Sequence, residues 1–246
     1  MMRGFILALV LVLAGWFSWN SDDAGKKTRI LFIGNSYTAQ ISGAVTALAE
    51  ASPAGKTTEF TFIAPGGKSL EAHIGDAATV AKIKEGNWDY VVLQDQSRTP
   101  ALWPERFETA AVGLDKLIDA AGAKTVFYQT WGRRDGDKQN AERFPTYESM
   151  QTVLSRNYAN VAGRCHAILA PVGDSWAGVR AKDAKLGGEL YASDGSHPSA
   201  KGAYLTACVF YKIFFQQDAA GIDFNSGLSP AEEKVMHQAV TSAMAQ

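Results

Sequence analysis

Three residues of this sequence have the types and the placement that acyl-transfer chemistry requires. Asp194 and His197 are three positions apart, which lets the carboxylate hold one imidazole nitrogen while the other nitrogen faces a substrate. Ser36 follows an apolar run and Gly34, at a predicted helix start whose backbone N–H groups can stabilise negative charge. The structural alternatives are a loop with a helix cap for Asp194 and His197, and an N-cap for Ser36. Finding both features in one chain favours catalysis.

The elements that must position these residues follow from the apolar runs. Short, nearly continuous apolar segments separated by helical patterns indicate parallel strands that are covered by helices on both faces. A capping box at Ser229-Pro230-Ala231-Glu232 opens a last helix. We therefore predict one α/β domain over residues 25–246, with irregular functional loops at 131–145 and 173–191. The predicted strands are Arg29–Ile33, Phe60–Ile63, Tyr90–Leu93, Lys124–Thr130 and His166–Val172.

Ligands of such sheets bind outside the carboxyl ends of the strands. The chemistry is therefore expected in the segments that follow the strands. These segments are Gly34–Thr38, Pro65–Ser69, Gln94–Ser97, Trp131–Gly132 and Ser193–Pro198.

These segments resemble the motifs of the SGNH, or GDSL-like, hydrolases. The resemblance rests on Phe32-Ile33-Gly34-Asn35-Ser36-Tyr37-Thr38, on Gly66-Gly67, and on Asp194-x-x-His197-Pro198, in the expected order from Arg29 to Phe215. It implies a flavodoxin-like three-layer α/β/α fold whose five parallel strands have the order 2-1-3-4-5. It also implies ester hydrolysis by a Ser-His-Asp triad without a metal or other cofactor.

The same resemblance assigns the roles within the site. Ser36 is the nucleophile, His197 the general base and Asp194 the residue that orients His197. The oxyanion hole takes the backbone N–H of Ser36 and a backbone N–H of Gly67, with Gly66 as the second choice.

A side-chain amide after the third strand completes the predicted oxyanion hole. The G-x-N-D block of the family is absent, and Leu93-Gln94-Asp95-Gln96-Ser97 stands in its place. This string is similar to the Q-G-E-S string of carbohydrate acetylesterases related to sialate O-acetylesterases. We predict Gln94 as the donor, with Gln96 second. Asn35 also replaces the family's Asp, at a position that takes no part in proton transfer.

Other residues near the predicted site are weaker candidates for a functional role. Tyr37 and Trp131 are predicted to bind substrate, because an aromatic ring at this edge can stack on a sugar, although packing in the core is the default for any one tryptophan. His73 can line the site, but a structural role is favoured. His166 and His237 receive no role, and Asp174-Ser175 is interpreted as a loop.

Composition limits the classes of partner. A chain of 246 residues that is 46% hydrophobic, with a formal net charge of -1, is globular and not disordered. It has no basic stripe, which argues against nucleic-acid binding and favours a small-molecule or saccharide ester as the substrate.

The N-terminus predicts export. Residues 1–24 are interpreted as a signal peptide, because the apolar run Phe5–Ala14 is too short for a bilayer span. A retained N-terminal anchor is the alternative, since no clean A-x-A cleavage site follows. Cleavage would leave no stable membrane span and a periplasmic or extracellular protein of zero formal charge, consistent with a neutral substrate.

The two cysteines are expected to meet at the edge of the sheet opposite the site. Cys165 directly precedes the fifth strand, and Cys208 lies eleven residues beyond His197, about 16 Å along a helix. Since disulfides persist outside the cytosol, we predict a Cys165–Cys208 disulfide.

Three functions fit the sequence. The first is an exported serine esterase that removes acyl, above all acetyl, groups from a carbohydrate. The second is a catalytically silent carbohydrate-binding domain, in which Ser36, Asp194 and His197 would lie out of mutual reach. The third, a phosphate binder that uses Gly34-Asn35-Ser36, ranks last because it has no use for the distant Asp-x-x-His.

Overall fold

The computed structural model describes residues 27–245, and five parallel strands form one sheet within it. The strand order is β2-β1-β3-β4-β5, which confirms the predicted fold class. In register, Phe32 lies beside Phe62 of one neighbouring strand and Val92 of the other. The strands are β1 (Thr28–Ile33), β2 (Thr58–Ile63), β3 (Tyr90–Leu93), β4 (Lys124–Tyr128) and β5 (Ile168–Ala170).

Within residues 27–245, ten α-helices cover the two faces of this sheet. They are α1 (Ser36–Glu50), α2 (Leu70–Ile74), α3 (Ala77–Lys84), α4 (Thr99–Leu102), α5 (Pro104–Ala120), α6 (Tyr147–Cys165), α7 (Val172–Lys182), α8 (Ala184–Glu189), α9 (Ala200–Phe215) and α10 (Pro230–Met244). Short 3-10 helices span Ala54–Thr57 and Lys138–Asn140.

Alternating strand residues divide the core into two clusters, one on each face of the sheet. Phe32 and Val92 pack with residues of α1, α7, α9 and α10. Leu31 and Leu93 pack with residues of α2, α3, α5 and α6. Since both faces are buried, the strands carry the near-continuous apolar runs from which the sequence predicts them.

The segments after β1, β2 and β3 are joined by backbone hydrogen bonds that extend the sheet beyond its last paired residues. The Gly34 N–H donates to the Ile63 carbonyl and the Gln94 N–H donates to the Ile33 carbonyl, both at 2.9 Å. The turn that carries Ser36 therefore lies directly beside the residues that follow β2 and β3.

The predicted disulfide is absent from the structure, because Cys165 and Cys208 are both free thiols. Cys208 of α9 belongs to the core on one face of the sheet. Cys165, the last residue of α6, packs against the core on the other face. The position of each cysteine along the strand direction was predicted without regard to the face on which its helix lies, and the sheet separates the two.

The predicted loop at 173–191 is also wrong, since α7 and α8 occupy most of it and Asp174-Ser175 lies inside α7. The segment 131–145 is irregular as predicted, apart from one short 3-10 helix. The predicted signal peptide at residues 1–24 lies outside the described residues. Within residues 27–245, no helix has both the length and the apolar character that a membrane span requires.

Candidate active site

The first turn of α1 presents the Ser36 hydroxyl. Asn35, and not Ser36, is the N-cap of the helix, because the Asn35 side-chain oxygen accepts the Tyr37 N–H at 3.2 Å. The Asn35 amide nitrogen donates to the Lys68 carbonyl at 3.0 Å. Asn35 thus fills the capping role, which leaves the Ser36 hydroxyl free, and it ties the Ser36 turn to the turn after β2.

Ser36, His197 and Asp194 form a continuous chain of hydrogen bonds. The distance from Ser36 Oγ to His197 Nε2 is 2.9 Å, although the two residues are 161 positions apart. The distance from His197 Nδ1 to Asp194 Oδ2 is 2.6 Å. These contacts are the opposite of what the catalytically silent alternative predicts. The arrangement can pass a proton from the hydroxyl to the imidazole while the carboxylate fixes the ring.

A tight turn holds Asp194 against His197. Asp194 Oδ1 accepts the backbone N–H groups of Ser196 and His197 at 2.9 and 3.0 Å. Gly195 between them adopts φ +66°, a left-handed conformation that glycine reaches without the steric cost of a Cβ. Burial raises the pKa of Asp194, but the bonds from the His197 ring and the two N–H groups outweigh it and hold the pKa at about 2. The carboxylate is therefore charged at neutral pH.

A stack of aromatic rings packs against the side chain of His197. The rings of Tyr37 and Trp131 are stacked at 4.7 Å, Trp131 and Trp176 are stacked at 3.8 Å, and Tyr37 meets the His197 ring edge-on at 5.2 Å. The Trp131 indole N–H donates to the Ser196 carbonyl at 2.9 Å. The prediction that Tyr37 and Trp131 bind substrate is wrong, because both are buried and brace the loop that carries His197.

Gln94 does not lie where an oxyanion donor is needed. The side chain is 0% exposed. Its oxygen accepts the Asn35 N–H at 3.0 Å and the Thr38 hydroxyl at 2.9 Å, and its nitrogen donates to the Asp95 carbonyl. The prediction for Gln94 is therefore corrected, since both ends of its amide are bonded within the protein and support the Ser36 turn.

The other candidates for the oxyanion hole, Gly66, Gly67 and Gln96, are at least partly exposed. Gly66 and Gly67 are exposed in a turn that is closed by the Lys68 N–H donating to the Pro65 carbonyl, and a Cβ at either glycine would meet no atom within 4 Å. Gln96 is half-buried, and its amide nitrogen has only a 3.5 Å contact with Ser97 Oγ.

Buried polar residues lie beneath the Ser36 turn, and their support of this turn was not predicted from the sequence. His73 Nε2 donates to the Gly34 carbonyl at 2.8 Å, and burial lowers the pKa of this imidazole. Asp95 Oδ1 accepts the N–H groups of Leu70 and Gln96, and burial raises the pKa of this carboxyl to about 7. We call Thr38, His73, Gln94 and Asp95, all 0% exposed, the polar floor. Only the N-cap preference of Asn35 could have been found from sequence.

Solved structures similar to this chain were found by comparison. One is a protein from Slackia heliotrinireducens assigned to the SGNH hydrolases, with 33% identity, a TM-score of 0.66 and coverage of 76% of this chain and 98% of that one. A DUF4886 family protein from Bacteroides uniformis has 17% identity and a TM-score of 0.74, covering 89% and 95%. An acetyl xylan esterase, AlAXEase, has 14% identity and a TM-score of 0.61, covering 76% and 99%.

The Bacteroides protein and the acetyl xylan esterase show only that the fold is shared. The Slackia protein, at 33% identity, shows the family. The sequence itself matches no protein-family model and no curated protein. The Slackia relative is matched over 98% of its own length, at 33% identity. The chain therefore belongs to the SGNH hydrolase family, the ester-bond hydrolases that its motifs resemble.

Proposed function

We propose that this protein is an exported serine esterase that removes acyl groups, above all acetyl groups, from a carbohydrate. The observation that carries the proposal is the chain of contacts from Ser36 Oγ to His197 Nε2 and from His197 Nδ1 to Asp194 Oδ2. The proposal includes a single domain over residues 25–246 behind a cleaved signal peptide, and the single five-stranded sheet of the described residues supports its one-domain part.

Acyl transfer by this triad takes two steps. Ser36 Oγ attacks the acyl carbon while its proton moves to His197 Nε2, and the imidazolium then gives this proton to the departing sugar oxygen. A water molecule, deprotonated by His197, releases the acid and restores the Ser36 hydroxyl. Asp194 holds Nδ1–H throughout and stabilises the positive charge that forms on the ring.

Negative charge on the acyl oxygen is stabilised at the start of α1. The backbone N–H of Ser36, in the first turn of the helix, and the N–H of Gly67 are the proposed donors, and Gly66 is the alternative for the second. Gln96 is the remaining side-chain candidate, because its amide nitrogen makes no hydrogen bond shorter than 3.5 Å to any residue that the structure describes. Asn35 links the two turns and so sets the distance between the donors.

The carbohydrate part of the proposal has two supports. Structures with this fold include an acetyl xylan esterase and an acetyl-xylooligosaccharide esterase from Geobacillus, each 14% identical to the chain. Trp103 is 49% exposed in the segment that joins β3 to α5, where an aromatic ring can stack on a sugar.

Covalent labelling by a fluorophosphonate tests the nucleophile. Wild type is expected to be labelled and to hydrolyse p-nitrophenyl acetate, whereas Ser36→Ala should lose labelling and about 10⁴-fold or more of the hydrolysis rate. Ser42→Ala, on the same helix, is the matched control, since its hydroxyl only donates to the Ala39 carbonyl. Labelling that does not depend on Ser36, together with absent hydrolysis, would exclude the esterase.

A further inference from the structure

We propose that a basic cavity beside Asp194 is a subsite for an anionic group of the substrate, so that the hydrolysed ester lies on an acidic sugar or beside a comparable oxyanion substituent. This inference rests on the proposed esterase function. It replaces the expectation of a neutral substrate, which was drawn from the formal charge of the whole chain.

The cavity has a volume of about 250 Å³ and adjoins the proposed triad. It is built by three segments: Arg98 after β3, residues 133–139 after β4, and residues 193–195 of the loop that follows α8 and contains His197. The Arg134 N–H donates to the Gly195 carbonyl at 2.9 Å, which fixes the second segment to the third. Because Asp194 lines this cavity and also accepts from His197, a group bound here would lie beside the proposed catalytic residues.

The carboxylates of the cavity are already engaged. Asp135 pairs with Arg134 at 3.0 Å, and Asp194 accepts from His197. Asp137 caps the short 3-10 helix, where it accepts the Gln139 N–H and the Asn140 side-chain amide. Each of these three carboxylates therefore already accepts a hydrogen bond or forms an ion pair within the protein.

The cations are not balanced in the same way. Arg98, Arg133 and Lys138 also line the cavity, and within residues 27–245 no carboxylate lies within ion-pair distance of any of them. Arg98 Nε is buried and has no hydrogen-bond partner there. An unpartnered guanidinium N–H is costly, and a ligand oxygen would satisfy it.

Arg133 connects the cavity to the segment that follows β3. Its guanidinium donates to Ser97 Oγ at 2.9 Å. Burial raises the pKa of Tyr37, the residue after Ser36, and the nearby positive charge of Arg133 opposes that rise. Planar guanidinium groups bind carboxylate, sulfate and phosphate oxygens in pairs, and these anions share the chemistry that this cavity recognises.

Acetate release from matched substrates tests the subsite. The first pair is an O-acetylated uronic-acid oligosaccharide and the same compound with its carboxylates methyl-esterified. Two further arms compare an acetylated sugar sulfate and an acetylated sugar phosphate with the unsubstituted acetylated sugar. Wild type is expected to prefer at least one anionic member by about 10-fold or more in kcat/KM, with a preference that falls as salt screens the charges. The arm with the largest preference identifies the anion.

Variants of the two unpaired arginines sharpen the test. Arg98→Gln and Arg133→Gln should each lower the ratio of kcat/KM for the anionic substrate to that for its neutral partner, by about 10- to 100-fold. Arg164→Gln is the matched control, because Arg164 is exposed at the end of α6, at the opposite edge of the sheet, and pairs with Glu108. Its ratio should equal that of wild type.

Two results overturn the inference, and they differ in what else they overturn. If wild type hydrolyses charged and neutral partners equally well while fluorophosphonate labelling still depends on Ser36, the subsite is wrong and the esterase stands. If neither labelling nor hydrolysis of p-nitrophenyl acetate occurs, the esterase fails and the subsite with it.

Discussion

The polar floor and the basic cavity flank the same proposed triad, but they treat polar groups in opposite ways. In the floor, Thr38, His73 and Gln94 are fully buried and bonded to the turn that carries Ser36. In the cavity, Arg98 and Arg133 have no carboxylate partner among the described residues. Buried polar atoms that are hydrogen-bonded hold the Ser36 turn in one conformation. Cations at a surface that have no counter-charge attract an anionic ligand. The floor therefore serves position and the cavity serves recognition.

This difference predicts where substitutions act. Changes in the floor should reduce the free energy of unfolding or its pH dependence, because they leave buried groups unpaired or remove a buried charge. Changes in the cavity should alter the choice of substrate and leave the stability nearly constant.

Asp95 is the exception within the floor and gives the largest expected effect. Its Oδ2 is buried and has no hydrogen-bond partner among the described residues, and burial raises the pKa of the carboxyl from 3.8 to about 7. Between these two values the folded protein keeps a proton that the unfolded chain has released, so stability falls as the pH rises. Asp95→Asn keeps the accepted N–H bonds without a charge. As the pH rises from about 4 to about 8, its free energy of unfolding should increase relative to that of wild type by about 4 kcal/mol.

Urea unfolding at several pH values measures this gain. The exposed carboxyl of Asp119 on α5 provides the control, and Asp119→Asn should follow the wild-type curve. Parallel pH curves for Asp95→Asn and wild type would contradict the buried, proton-binding carboxyl.

Gln94 gives the next largest effect and distinguishes a supporting residue from an oxyanion donor. Gln94→Ala leaves the Asn35 N–H and the Thr38 hydroxyl without their acceptor and opens a void, at a cost of about 3 kcal/mol in the free energy of unfolding. The exposed Gln40 on α1 supplies the control Gln40→Ala, which should be neutral.

The opposite outcome has its own signature. If Gln94 were an oxyanion donor, Gln94→Ala would unfold at the wild-type urea concentration while its rate of p-nitrophenyl acetate hydrolysis fell by about 100-fold or more. Unfolding and hydrolysis measured on the same preparations therefore separate the two roles.

The sequence predicts the frame of the molecule better than its internal contacts. Apolar runs located all five strands, and the spacing of Asp194 and His197 with the placement of Ser36 located the three residues that the structure joins. These features are local, or follow from the rule that parallel strands end at one edge. Whether Gln94 points its amide outward or beneath the turn depends on partners from other segments, which spacing does not reveal.

The missed helices have a similar cause. The segment 173–191 contains several glycines, which are poor helix formers and favour a loop interpretation. In the structure Gly187 of α8 lies against α7, where a Cβ would come within 2.6 Å of Arg180 Cα. The glycine permits close packing of two helices, and only the tertiary contact distinguishes that use from a turn.

Arg98 gives the smallest expected effect on stability and the sharpest contrast with the floor. Its Nε has no hydrogen-bond partner in the part of the chain that the structure describes, and its Nη1 donates to the side chain of Gln139 at the cavity wall. Arg98→Gln should therefore change the free energy of unfolding by less than about 0.5 kcal/mol, because one surface bond is lost while an unpaired cation is removed. Urea unfolding beside Gln94→Ala measures both regions on one scale. A loss above about 1.5 kcal/mol for Arg98→Gln would mean that the arginine holds the fold together, and the two regions would then no longer differ in kind.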